Sequence, residues 1–322
     1  MATVVTTLNY LTASRAGNTL RDNGSYQAIS HIPAGAISET FSALTSDGTF
    51  APQGGSSDLT VVIVAGGGGG GPPGYGSGAG GGGVRSKTDL SNPGSPIAVS
   101  VGGSSGGDGT RGNNTYLGPE PSPIFVTTGG GGGPPAGGNS TGGTGGSGGG
   151  NSAGNLGGYS PSEGNNGGSQ QWPMSSNPAK AGAGGGAGGA GQSGPGGRAG
   201  GAGRDMTPII PAPQGGGTFG GGGAGGTSGS PTGGAGGGGT GSNGVPSIQG
   251  KGQDGQTNTG GGAGGGSNYI HSGVPQAAGG SGVVILKVPT ANYSSTTTGS
   301  PTVSISGDYT ILKYTGSGSY TG

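Results

Sequence analysis

Few residues of this chain could do chemistry, and their spacing suits it badly. The stretch GVPSIQGKG (244–252) comes near a phosphate-binding loop, with five residues between Gly244 and Gly250-Lys251 where that loop has four between its glycines. Such a loop holds magnesium through the Ser or Thr that follows its lysine. Gly252 stands there instead, no strand–loop–helix pattern surrounds the near-match, and 96 glycines make such an approach easy by chance. His31 and His271 are the only histidines, and neither has the carboxylates beside it that a zinc site or a nucleophilic triad requires. Asp108, Asp205 and Asp254 lie in glycine-rich loops. Calcium needs about six or more converging oxygens, and these carboxylates are scattered. Glycoside hydrolysis needs two carboxyl groups about 5–10 Å apart, and the 11 acidic residues show no such pair. The residues therefore predict no catalytic group, no metal and no cofactor: the chain is not an enzyme.

Recognition is the other chemistry on offer. Tyr75, Tyr116, Tyr159, Trp172, Met174, Tyr269 and His271 are large side chains in segments flanked by glycine. Aromatics at loop tips bury much area with few rotors, and they stack on sugars. These seven are the candidate receptor contacts. The alternative is that they fold back as a lid over the ends of the glycine tracts. The segment RDMTPIIPAPQ (204–214), with Ile209 and Ile210, reads as a packed cap.

The elements that must position these residues are unusual. Of 322 residues, 96 are Gly and 23 Pro, and 26% are hydrophobic. That set is too poor for an ordinary core, and helix formers are sparse. Eleven basic against 11 acidic residues leave no net charge. A basic footprint for nucleic acid is missing, as is a polybasic patch for lipid, and neutrality favours self-association. There is no cysteine, no basic-then-apolar leader at the start, and no apolar run long enough to span a membrane. Strands are predicted where apolar residues cluster: Leu59–Val64, PIAVSV, SPIFVTT and GVVILKV, with a hairpin turn at Asp47-Gly48. Two or three short strands are expected within 1–36. An echo links ETFSALTSDGTFAP (39–52) to YTILKYTGSGSYTG (309–322); the second copy either begins a further unit or closes this one.

Between the strands run the main glycine tracts, 66–83, 129–150, 182–203, 215–240 and 260–266. Ordering glycine is costly in backbone entropy. Collagen is excluded, because GGGGGGPPGYGSG breaks its three-residue frame. A flexible spacer remains possible, but it has no use for strand-like anchors at the tract edges. The other outcome is a bundle of left-handed extended helices in which backbone groups pair between neighbours. Segment 142–150, GGTGGSGGG, keeps a beat of three and is expected to show Thr144 and Ser147 on one outward face.

The order FSALTSDGTFAP, LTVVIVAGGGGGG, PIAVSVGG, PIFVTTGGGGG and GGSGVVILKV, over roughly 39–288, resembles the glycine-rich domain of bacteriophage virion and tail-fibre proteins. Its alternation of tracts and inserts is similar to the distal adhesins of T-even-like long tail fibres. The resemblance implies a mainly non-helical fold, short β-strands framing a polyglycine II bundle. It covers the bundle segment, 37–288, while the residues outside it are read as an attachment segment at 1–36 and a β tail at 289–322. The implied role is a non-enzymatic virion protein, either a fibre-associated adhesin or a connector without receptor binding. Its implied partners are other phage virion proteins, with a host outer-membrane protein or surface polysaccharide for an adhesin. Nucleic acid and membrane insertion are not expected.

Overall fold

Leu59–Val64 forms a strand (β3) buried on both faces, as the apolar run Val61–Val64 requires. The computed structural model describes residues 59–71, 76–91, 95–107, 109–134, 141–170, 181–193, 198–226, 231–242, 250–266 and 276–322, with only the backbone of 14–15 and 18–19. Contacts divide the chain into two units, Met1–Gln53 and Gly54–Gly322. In the first, β1 (Ser14–Arg15) pairs antiparallel with β2 (Asn18–Thr19). The other strand expectations for 1–36, and the hairpin at Asp47-Gly48, lie outside the described residues.

The second unit holds two open five-stranded sheets, antiparallel throughout. The first has β3 near its middle, flanked by β4 (Val84–Leu90) and β10 (Val283–Pro289), and continues through β13 (Tyr309–Tyr314) to β12 (Thr302–Ser306). The second runs β11 (Thr296–Thr298), β14 (Gly318–Thr321), β5 (Ile97–Ser100), β6 (Thr115–Leu117), β7 (Phe125–Thr127). The tail thus contributes strands to both sheets, β13 beside β10 and β14 beside β5. Helix is limited, among the described residues, to two 3₁₀ turns at Ala212–Gln214 and Thr290–Asn292.

Alternation along the strands builds two apolar layers. Val61 and Ile63 of β3, Val284 and Leu286 of β10, and Leu312 and Tyr314 of β13 meet Ile97, Val99, Leu117, Phe125 and Tyr320 of the second sheet. The opposite face, with Val62, Val64, Ile285 and Ile311, is covered by Met206, Ile210 and Phe219. Met206 and Ile210 belong to the cap, whose chain is pinned by pairing of β8 (Arg204–Asp205) with β9 (Thr218–Phe219), the strand that supplies Phe219. Ile285 is fully buried, so Ile285→Ala is expected to lower stability by about 2–5 kcal/mol, read from a urea-unfolding midpoint.

Tyr314 sits in the inter-sheet layer and donates its hydroxyl to the Ser319 carbonyl at 2.8 Å. Burial pushes its pKa up to about 12. The unfolded chain would lose this proton near pH 10 while the fold keeps it. Stability should therefore fall as pH rises from about 10 to 12, and Tyr314→Phe should flatten that fall in melts taken across the interval.

The glycine tracts continue directly from the strand ends at one rim of the sheets. There the buried Thr115 hydroxyl donates to Val64 O at 2.8 Å and accepts from Gly102 N at 2.9 Å, joining the two sheets. Beyond the rim the tracts pair laterally. Ala65 and Gly68 donate to Gly83 and Gly80, Gly66 and Gly69 to Asn113 and Thr110, and Gly67 and Gly70 to Gly280 and Ala277, all at 2.8–3.1 Å. Residues three apart thus address the same neighbour. Segment 76–83 repeats the pattern: Gly76, Ala79 and Gly82 donate to Gly266, Ala263 and Gly260, Gly78 and Gly81 to Gly182 and Gly185, and Gly80 and Gly83 to Gly131 and Thr128. The same segment accepts from Ala65 and Gly68, from Ser147 and Gly150, and from Gly223 and Gly226. It is therefore bonded on every side. Methyl groups enter this packing at a few places, as where Ala79, Ala263 and Ala277 cluster.

Segment 142–150 departs from expectation. Gly142 N donates to Gly150 O and Gly149 N to Gly143 O, so the segment folds back on itself around a bend at 145–147. Thr144 is exposed, whereas Ser147 is fully buried. A reversal breaks the one-sided beat that a straight helix would have kept.

Candidate functional site

Arg85, Glu163 and Arg204 come together at the junction of sheet and tract. Arg85, second residue of the edge strand β4, lays its guanidinium over two rings, 3.6 Å from the centroid of Tyr159 and 4.4 Å from that of Phe125. Its Nη1 donates to the Val126 carbonyl of β7. Both rings supply cation–π attraction, so Arg85 bridges the edges of the two sheets and the loop that carries Tyr159.

That loop, 155–163, is organised by Asn155, whose φ of 57° gives it the left-handed conformation Asn tolerates. Its Oδ1 accepts from Tyr159 N and Glu163 N, both at 3.2 Å, and its Nδ2 donates to Tyr159 O at 3.1 Å. Glu163 is thereby delivered, fully buried, beneath the sheets. Its Oε2 accepts from Thr127 Oγ1 at 2.9 Å and Thr128 N at 2.8 Å, and its Oε1 from Gly157 N at 3.1 Å. Arg204, from β8, donates to the carbonyls of Val84, Ser162 and Ala187. It therefore ties strand β4, the loop and the tract at Ala187 together.

Burial lowers the pKa of Arg85 and of Arg204, and the charge of Glu163 works against that shift in each. Tyr159 is pushed up by burial first and by Glu163 second, with Arg85 opposing. A cleft of about 520 Å³ opens above the cluster, lined by Arg85, Lys87, Ile124, Phe125, Tyr159 and Arg204. The guanidinium hydrogen bonds among the described residues run to backbone carbonyls of β4, β7, the loop and a tract, so the arrangement acts first as a clasp between layers. Tyr159→Phe keeps the ring over Arg85 and should change stability by less than about 0.5 kcal/mol. Tyr159→Ala should cost about 1–2 kcal/mol in the same urea titration, because cation–π contact and packing go together.

Of the other expected contacts, Tyr116 is the one among the described residues. Tyr116 lies on β6, half-buried, with its hydroxyl accepting from Asn114 Nδ2 at 3.2 Å. It lines a second cleft with Arg111 and Asn113. Tyr75, Trp172, Met174, Tyr269 and His271 lie outside the described residues, as do His31 and Asp108. Asp205 accepts from Thr207 N and Oγ1, both at 2.9 Å, and these bonds hold its pKa low. Asp254 accepts from Ala278 N at 2.9 Å and pairs with Lys251 at 3.0 Å, so the lysine of the near-match to a phosphate loop has a local partner. Among the described residues no three His, Asp or Glu side chains come together as metal ligands would, and no helix is long and apolar enough to cross a membrane.

Sequence reasoning missed Glu163, Arg85 and Arg204. The one local signal was NLGG (155–158), a turn sequence that marks where the Glu163 loop begins.

No curated protein and no solved structure matches the chain. The glycine-rich domain family matches residues 44–289, more than half of the sequence and the stretch that holds the tracts, the clasp and most of the strands. The chain belongs to the glycine-rich domain family.

Proposed function

We propose that this chain is a non-enzymatic structural component of a bacteriophage virion, a connector in the tail or another surface appendage, and that its tracts form a polyglycine II bundle. The observation that carries the reading is the three-residue recurrence of donors along 65–70 and 76–83. In a left-handed extended helix of three residues per turn, successive amides point about 120° apart, so every third one faces the same neighbour. A body bonded this way resists bending and shear in each lateral direction without a large apolar core. Such a body suits a part that carries load between neighbours. The order of strands and tracts resembles that of phage virion proteins, and a chain without net charge fits residence inside an assembly. Cross-linking mass spectrometry on purified particles tests the reading. The chain should be recovered from washed virions joined to other virion proteins; a chain that is absent from them ends the proposal.

A second reading, an adhesin facing a host outer-membrane protein or surface polysaccharide, draws support from where the tracts end. Gly76 N bonds Gly266 O, Gly70 N bonds Ala277 O, and Gln170 Nε2 bonds Ser77 Oγ at 2.7 Å. Residues 70, 76–78, 170, 182, 266 and 277 therefore lie at one end of the tracts. Five of the seven candidate contact residues fall between these positions in sequence, within 72–75, 171–180 and 267–275. The Trp172→Ala/Met174→Ala double variant decides between the readings. A connector leaves adsorption to host cells unchanged, whereas an adhesin loses at least tenfold.

A further inference from the structure

A sheet edge presents unpaired amides and carbonyls, and proteins guard such edges with charge, bulges or brevity. Three of the four edges of the two five-stranded sheets are guarded. β4 carries Arg85, Lys87 and Asp89 and has a register shift against Leu59–Val61. β7 has three residues, and its Val126 carbonyl already accepts from Arg85. β11 is three threonines, bounded by positive φ at Ser295 (62°) and Gly299 (77°).

β12 has none of these guards. Its five residues, TVSIS, carry no charge, and among the described residues its backbone pairs with β13 alone. Val303 is 47% exposed and Ile305 66%, the most exposed large apolar side chain described. Val303 sits opposite Leu312 and Ile305 opposite Thr310, so both lie on the face that carries the inter-sheet core, past the point where the second sheet covers it.

We propose that β12 is a self-association edge, joining two copies of this chain antiparallel about a two-fold axis at Ser304. The strand is complementary to itself in that register. Val303 of each copy falls opposite the partner's Ile305, extending the apolar row that begins at Leu312, and Thr302 falls opposite the partner's Ser306. A slip of one residue would set Val303 and Ile305 opposite hydroxyl side chains, which fixes the register. Pro301 limits the pairing to these five rows, because it has no amide to donate. Neither strand brings a charge for its copy to repel, and 11 basic against 11 acidic residues leave no net charge to hold two copies apart. This contact is independent of where the protein resides, so it is tested on the purified chain alone.

Sedimentation velocity on the full chain should give twice the 29.3 kDa of one copy at micromolar concentration. The Val303→Lys/Ile305→Lys variant, changed only at exposed positions, should sediment as one copy with an unchanged far-UV spectrum. The chain has no cysteine, so Ser304→Cys introduces a single thiol. Residues directly opposite in an antiparallel pair have Cα atoms about 4.5–5.5 Å apart, within disulfide range. Mild oxidation should therefore give a covalent dimer, whereas Thr88→Cys on the guarded edge should not. A wild-type chain that sediments as one copy overturns the proposal. So does a dimer that persists in the lysine variant, or Ser304→Cys that fails to cross-link.

Discussion

Gly131→Ala is expected to cost at least about 3 kcal/mol, and Gly131→Val to abolish cooperative unfolding altogether. A Cβ at this position would stand 1.9 Å from Gly143 O and 2.9 Å from Gly149 N, both main-chain atoms. No side chain can swing aside, so relief requires moving a neighbouring strand of backbone. That neighbour is itself bonded: Gly143 N donates to Gly132 O, and Gly149 N to Gly143 O. Gly186, with Gly201 O at 2.2 Å and Ala202 O at 2.3 Å from the same virtual atom, should behave alike. Two controls separate close packing from a general effect of losing glycine. At Gly106 an added Cβ meets nothing within 4 Å, so Gly106→Ala should be neutral or stabilise by up to about 1 kcal/mol, through a less flexible unfolded chain. Thr144 is exposed, and Thr144→Val should shift stability by no more than about 0.5 kcal/mol. Urea midpoints for the set check the ranking. Equal tolerance at Gly131, Gly106 and Thr144 would contradict a packed lattice.

Glu163→Ala should be nearly as damaging, at about 3 kcal/mol or more, and for a different reason. The carboxylate is the acceptor for Thr127 Oγ1, Thr128 N and Gly157 N. Each buried donor left without a partner costs about 1–3 kcal/mol. Arg85 and Arg204 would also lose the negative charge that offsets their burial. Glu163→Gln keeps one acceptor oxygen and the side chain's shape, so it should recover part of the loss. Thermal melts of the three chains give the order wild type, Glu163→Gln, Glu163→Ala. An unchanged melting temperature for Glu163→Ala would remove the clasp from the account. This loop also constrains how recognition is tested: a deletion spanning 155–180 takes Asn155 and Glu163 with it, whereas substitution at Trp172 and Met174 leaves them in place.

Much of this architecture could be read from the residues. Leu59–Val64 and VVILKV are apolar without alternation, and both are central strands covered on two faces. Ile209 and Ile210 mark the cap, and Ile210 is fully buried against the sheet while Ile209 packs at its margin. β4 was hidden because VRSKTDL is an edge strand that buries only Val84 and Leu90 at its ends, so its pattern is that of a loop. Ser147 misled because a three-residue beat in sequence implies one face only if the backbone runs straight, and here it turns at 145–147. Glu163 was invisible for a third reason. Its acceptor role is defined by Thr127 and Thr128, which lie 36 and 35 residues away. Tyr159 reads as a loop-tip aromatic, yet its ring lies on a guanidinium that sequence places 74 positions earlier, at Arg85.

Site-resolved amide hydrogen exchange along 65–70 and 76–83 tests the central claim most directly. If these glycines bond laterally as described, their amides should exchange at least a thousandfold more slowly than those of an unstructured glycine peptide. Protection should rival that of Val62 and Ile285 in the central strands. Exchange of Gly66–Gly70 at the free-peptide rate, with Val62 and Ile285 still protected, would show sheets joined by slack tethers and contradict the account.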